Sequence, residues 1–133
     1  MKRMACLSLL VFSFFLAGCP DSGPKAPPVA KVSGTVTLDG KPMTGGEVRF
    51  NAPGQPAKIL EIKDGAFSGE VFEGKNQADV VWEKDGPPHP MDPNTKLKVN
   101  VVDARFSGPN TPFKPEVGAT GANDLKFEVT SAK

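Results

Sequence analysis

Between residues 30 and 130, apolar side chains return at every second position in short bursts. This is the period at which a strand buries one face and wets the other. Val32, Gly34, Val36 and Leu38 share one face, while Lys31, Ser33, Thr35 and Thr37 share the opposite one. Val48 and Phe50 alternate with Glu47, Arg49 and Asn51, and Leu60 and Ile62 alternate with Glu61 and Lys63. Phe67 and Val71 flank Gly69 in a shorter candidate strand. Ala78, Val80 and Trp82 alternate with Asp79 and Glu83, and Leu97, Val99 and Val101 with Lys98 and Asn100. Leu125, Phe127 and Val129 alternate with Lys126 and Glu128. The pattern predicts seven strands and admits an eighth around residues 113–117. Asp39-Gly40 and Asp64-Gly65 supply turn signals, since glycine accepts a positive φ without a Cβ clash.

No window after residue 30 carries a helical stripe, and of the chain's fourteen prolines and fourteen glycines, ten and twelve lie beyond residue 30, where helices would break. Short strands with one apolar face each need a second sheet to cover that face. The expected class is therefore all-β: a seven- to eight-stranded antiparallel β-sandwich over residues 30–131. Two stretches read as loops. Residues 85–94 contain four prolines, and residues 107–112 contain two. Proline lacks the N–H that a central ladder requires.

The chain before residue 30 follows a different pattern. Lys2 and Arg3 precede an apolar run from residue 7 to residue 16, and small residues close it. A positive start, a short apolar stretch and small residues before a cut site are the parts of a helical secretory signal. The run is far shorter than the roughly 18 apolar residues that a spanning helix needs. Leu16-Ala17-Gly18-Cys19 resembles the bacterial lipobox, in which the cysteine is lipidated. That resemblance implies a cut between Gly18 and Cys19 and acyl chains of the palmitate class on Cys19. The plainer alternative is an ordinary secretory signal with a chance cysteine. Residues 19–29 hold four prolines and a glycine among small polar residues, too few apolar groups for a core. They read as a disordered but semi-rigid tether extending about 3 Å per residue.

Processing changes what composition implies. Removing the first 18 of 133 residues leaves 115, enough for one small domain on a tether. The formal charge moves from +1 to −1 as Lys2 and Arg3 leave, and the remaining basic residues are scattered. Neither value suggests a nucleic-acid partner. Cys6 would leave with the signal and Cys19 would carry lipid, so no thiol remains for a disulfide or a thiolate metal site.

Val32-Ser33-Gly34-Thr35-Val36-Thr37-Leu38-Asp39-Gly40-Lys41-Pro42, followed by Gly46, Val48 and Phe50, resembles the opening of carboxypeptidase regulatory-like, transthyretin-like domains. Asp64-Gly65-Ala66-Phe67 is similar to that family's D-G-x-F turn. Ala104-Arg105-Phe106 and the stretch from Gly121 to Val129 resemble small bacterial lipoproteins built on it. The family's P-G-x-Y-x-V segment is matched only by residues 73–80, which lack both the proline and the tyrosine. The resemblance implies a transthyretin-like or Ig-like sandwich, non-catalytic and displayed beside other machinery.

Candidate chemistry is sparse. A serine nucleophile would need His89, the single histidine, but His89 lies among prolines and no nucleophile elbow surrounds Ser68 or Ser107. Asp79 and Glu83, and Asp85 and Asp92, are carboxylates without a cleft to push their pKa values apart. His89 and Met91 form an H-x-M pair, too few ligands for copper, and no calcium-loop pattern is present. No catalytic, cofactor or metal residue is expected. Trp82 is the candidate ligand contact: facing inward it is core, facing outward it is a stacking platform.

The expectation is an exported, non-enzymatic lipoprotein, held by Cys19 to a bacterial membrane and facing the periplasm or the exterior. As an envelope binding or scaffolding module it would engage a protein or a polysaccharide, with strand addition as one mode. The alternative is a carbohydrate- or cell-wall-binding module that uses Trp82.

Overall fold

A computed structural model describes Gly23, Lys25 and residues 27–133. The expected signal helix and the box ending at Cys19 lie outside these residues. The described chain forms strands Val29–Leu38 (β1), Lys41–Pro42 (β2), Glu47–Asn51 (β3), Lys58–Glu61 (β4), Ala66–Phe72 (β5) and Gly74–Lys75 (β6). Gln77–Val81 (β7), Glu83–His89 (β8), Asp92–Asn100 (β9), Glu116–Val117 (β10) and Ala122–Val129 (β11) complete the set. Three of the eleven are two residues long, which leaves eight of ordinary length.

Strand β1 organises the first sheet. Its first half pairs antiparallel with β5, from Val29 opposite Phe72 to Thr35 opposite Ala66. Its far end folds back on β2 through Asp39-Gly40, and its other edge carries β11. The second sheet runs β4-β3-β7, antiparallel throughout. Both predicted Asp-Gly turns form with positive φ at each residue: 51° and 80° at Asp39-Gly40, 51° and 78° at Asp64-Gly65. Two positive φ angles make the mirror-image turn whose twist matches that of the strands it joins.

The alternation read along the chain becomes the core. Val32, Val36, Phe67, Val71 and Phe127 from the first sheet meet Val48, Phe50, Leu60, Ala78 and Val80 from the second. Phe50 lies 5.9 Å from Phe67 and 6.3 Å from Phe127 between ring centroids, so aromatic contacts join the two layers. Phe67 and Phe127 stack at 5.5 Å, and Phe113 reaches Phe127 at 4.6 Å. Such pairs contribute about 0.5–1.5 kcal/mol each beyond the area they bury.

Four expectations are corrected. The sandwich is not wholly antiparallel, because β1 and β11 run parallel from Gly34 opposite Leu125 to Leu38 opposite Val129. The connection from Asn100 to Ala122 is long enough to return in either direction, whereas a tight hairpin enforces antiparallel pairing. The proline-rich stretch expected to be a loop is mostly β8 and the start of β9. A two-stranded ribbon leaves each strand one open edge, and the ladder shifts register around Pro88, so prolines are tolerated there. Leu97 and Val99, expected inside, are 37% and 44% exposed. The eighth strand shrinks to Glu116–Val117, and residues 104–110 form two short 3-10 turns.

The two parts should respond differently to truncation. Phe127→Ala should cost about 3–5 kcal/mol in urea unfolding, whereas Leu97→Ala should cost less than about 0.5 kcal/mol.

Candidate functional site

Strands β8 and β9 pair only with each other and leave the sandwich as a ribbon. Seven to nine residues at about 3.4 Å each make it roughly 20–30 Å long. Every residue of β9 except Asn100 is exposed, and in β8 only Gly86 and His89 are half-buried. The turn is Pro90-Met91, with His89 opposite Asp92 and Met91 91% exposed at the tip.

The ribbon leaves from a defined end of the fold. Glu73 N–H donates to Pro28 O at 2.9 Å beside the Val29–Phe72 pair, which fixes where the chain enters β1. Strand β7 begins at Gln77, five residues beyond Phe72, and climbs to Val81 opposite Glu47. Trp82 follows at once and β8 begins at Glu83. The ribbon therefore starts at the pole opposite the start of β1.

Asn100 fastens its root. The Asn100 Oδ1 accepts from Trp82 N–H at 3.0 Å and from Val102 N–H at 3.1 Å, while Val101 N–H donates to Trp82 O at 2.9 Å. One amide oxygen thus satisfies two backbone donors where the chain enters and leaves the sandwich. Val102, 1% exposed, plugs into the core immediately afterwards.

Period two separates the ribbon's faces. Lys84 stands opposite Val99 and Asp85 opposite Lys98. One face thus carries Trp82, Lys84, Leu97 and Val99, and the other Glu83, Asp85, Lys96 and Lys98. Trp82 is half-buried and packs against the core. Lys84 Nζ lies 3.9 Å from its ring centroid, and a Cβ on Gly45 would meet its Nε1 at 3.2 Å. Its ring is thereby already engaged by a cation, a contact of about 0.5–1 kcal/mol at an exposed site. On the other face Lys98 hydrogen-bonds and ion-pairs with Asp85. The Lys98 hydrogen bond, then its charge, holds the Asp85 carboxyl below its ordinary pKa, and Asp85 in turn raises Lys98. A lowered carboxyl pKa adds stability above the ordinary Asp range that fades as pH falls through the lowered value. For Lys98 the sign reverses: the contribution holds below its ordinary pKa and is lost as pH rises through the raised one. Both groups are solvent-exposed, so salt screens the pair.

The other residues singled out in the sequence are placed as follows. His89 Nδ1 accepts from Met91 N–H at 3.2 Å and so belongs to the ribbon turn. Among the described residues no group of three His, Cys, Asp or Glu side chains could hold a metal. Asp92 accepts from Thr95 and Asn94, and the Thr95 hydroxyl is the main cause of its lowered pKa. Cys19 and Gly18 lie outside the described residues. Two grooves flank the sandwich away from Trp82. One of about 710 Å³ runs along Ser33, Thr35, Ile59, Ser68 and Lys126. The other, about 620 Å³, lies among Asn51, Lys75, Asn76, Lys114 and Glu116 at the pole where β1 starts. The buried Asn76 Oδ1 has no partner among the described residues, while its Nδ2 donates to Phe72 O at 2.7 Å. Sequence reasoning missed the ribbon and the Asn100 clamp. The signal for the clamp was an asparagine closing an alternating run whose next residues turn inward.

No family model matches the chain, and no curated protein matches it. It is similar to a solved structure of a DUF3823 family protein from Parabacteroides merdae, at 19% identity and a TM-score of 0.42. The similarity covers 80% of this chain and 48% of that protein, so this chain spans about half of its length.

Asn100→Ala strands two backbone donors and should cost about 1–3 kcal/mol, with a changed Trp82 emission. Asn100→Asp keeps the acceptor and should retain both stability and emission near those of the parent, as read by urea unfolding followed at the single tryptophan.

Proposed function

We propose that this chain is a lipid-anchored, non-enzymatic protein of a bacterial envelope, a β-sandwich module that binds or scaffolds a partner through its β8–β9 ribbon. The ribbon's emergence at the pole opposite the tether carries this reading. A domain held at Cys19 through the residue 19–29 spacer would direct that pole away from the lipid surface. The Leu16-Ala17-Gly18-Cys19 box and the proline content of the spacer support the anchor. Two or three acyl chains suffice for stable attachment, since each buried CH₂ contributes about 0.8 kcal/mol and one chain alone is marginal.

The composition of the ribbon supports a binding role. An isolated two-stranded hairpin is marginally stable in water, and exposed apolar groups on it add nothing to the core. Leu97, Val99 and Met91 nevertheless stand on it exposed. A polysaccharide partner would rest on Trp82, and a sugar stacking there would have to displace Lys84. A protein partner taken by the strands needs no such displacement, and that is the reading we favour.

The anchor is tested by metabolic labelling with an alkyne fatty acid in a bacterial host. The parent chain should take up label and fractionate with membranes, at the mass of a chain beginning at acylated Cys19. Cys19→Ser should take up none; label retained in that variant would contradict the assignment.

A further inference from the structure

We propose that the outer edge of β9 receives an extended peptide whose side chains alternate between acidic and apolar, added to the ribbon as a third strand. This rests on the reading of the chain as a binding module and names the partner's chemistry. A two-stranded ribbon has two free edges. On the β8 side Pro87 and Pro88 have no N–H, and the ladder is irregular around Pro88, so that edge is closed to pairing. On the β9 side residues 94–100 contain no proline. No strand covers that edge among the described residues.

The two faces of β9 state what an added strand should carry. Leu97 and Val99 project on the face shared with Lys84 and Trp82, and Lys96 and Lys98 on the face shared with Asp85. Residues directly opposite on neighbouring strands share a face and interact there. A partner strand would therefore set apolar groups beside Leu97 and Val99 and carboxylates beside Lys96 and Lys98. Lys98 already holds Asp85, and Lys96 forms no ion pair among the described residues.

A second copy of this chain pairs poorly in the registers centred on residues 96–98, the middle of the proline-free edge. Antiparallel self-pairing about a two-fold axis at Leu97 sets Lys96 opposite the partner's Lys98. Centring the axis on Lys96 or on Lys98 sets that lysine opposite itself. Like charges directly opposite are destabilising, and edge lysines are a known defence against self-association. In those registers the charges that repel a copy attract an acidic strand.

The test uses the chain from residue 19 carrying Cys19→Ser, labelled with ¹⁵N and titrated with an end-blocked octapeptide of alternating Glu and Val. Amide shifts should concentrate at residues 94–100, with a smaller change at the Trp82 indole. An octapeptide of alternating Lys and Val should bind at least about fivefold more weakly. Lys96→Glu and Leu97→Ser, both at exposed positions, should each weaken the Glu–Val peptide by about fivefold, while Lys126→Glu on the sandwich should leave it unchanged. Equal binding of the two peptides, shifts centred on the sandwich, or no shift at millimolar peptide would overturn the proposal and leave the lysines as edge protection alone. The acyl group plays no part in this assay, so its failure is separable from a failure of acylation at Cys19.

Discussion

The contact between Phe50 on one sheet and Phe67 and Phe127 on the other is the interaction on which the structure depends. It joins two layers that share few main-chain hydrogen bonds, and Phe113 and Phe106 extend it to close one end. Packing must hold this fold without a covalent cross-link among the described residues, because both cysteines lie before residue 20. Close approach of the layers then restricts the neighbours. A Cβ on Gly34 would strike Leu125 and the Phe67 ring, and one on Gly121, where φ is +83°, would strike the Lys31 carbonyl. Each glycine lets β11 lie against β1 and bring Phe127 into the aromatic group.

A well-filled sandwich can carry an element that contributes little to its stability. The ribbon buries almost nothing, yet it is held at its root by Asn100 and by Val102 plugged into the core. Rigid attachment at one end with free edges beyond it suits an element presented to a partner. Strand β1 starts at the other pole and in the other sheet, so under the proposed reading anchoring and presentation would use opposite ends of the sandwich. Electrostatics on the ribbon is local: the Asp85–Lys98 pair joins the two strands on one face, and the Lys84–Trp82 contact runs along a single strand on the other.

Much of this was legible in the sequence where one face of a strand is buried. Alternation at Val32 to Leu38, Val48 to Phe50, Ala78 to Val80 and Leu125 to Val129 specified faces, because a one-residue slip would turn every core side chain outward. The two Asp-Gly turns were legible because they need positive φ. Alternation at Leu97 and Val99 misled for the same reason: period two reports a strand but says nothing of whether a second layer covers it. The prolines at 87, 88 and 90 argued against a sheet, and they do exclude a central strand. A ribbon's open edge escapes that rule. The parallel pairing of β11 left no local trace, since a long connection fixes neither direction. The Asn100 clamp was marked only by an asparagine closing an alternating run, and its two hydrogen bonds depend on geometry that spacing alone does not give.

A tightly packed sandwich thus carries an uncovered ribbon with a free β9 edge. Native-state amide hydrogen exchange measured residue by residue tests it most directly. The account predicts that amides in β1, β3 and β7 exchange only with global unfolding. Those of residues 94–100 should exchange orders of magnitude faster, with the slowest ribbon amides nearest Asn100. Equal protection of β9 and the sandwich strands would contradict it, for the ribbon would then be covered in the free protein.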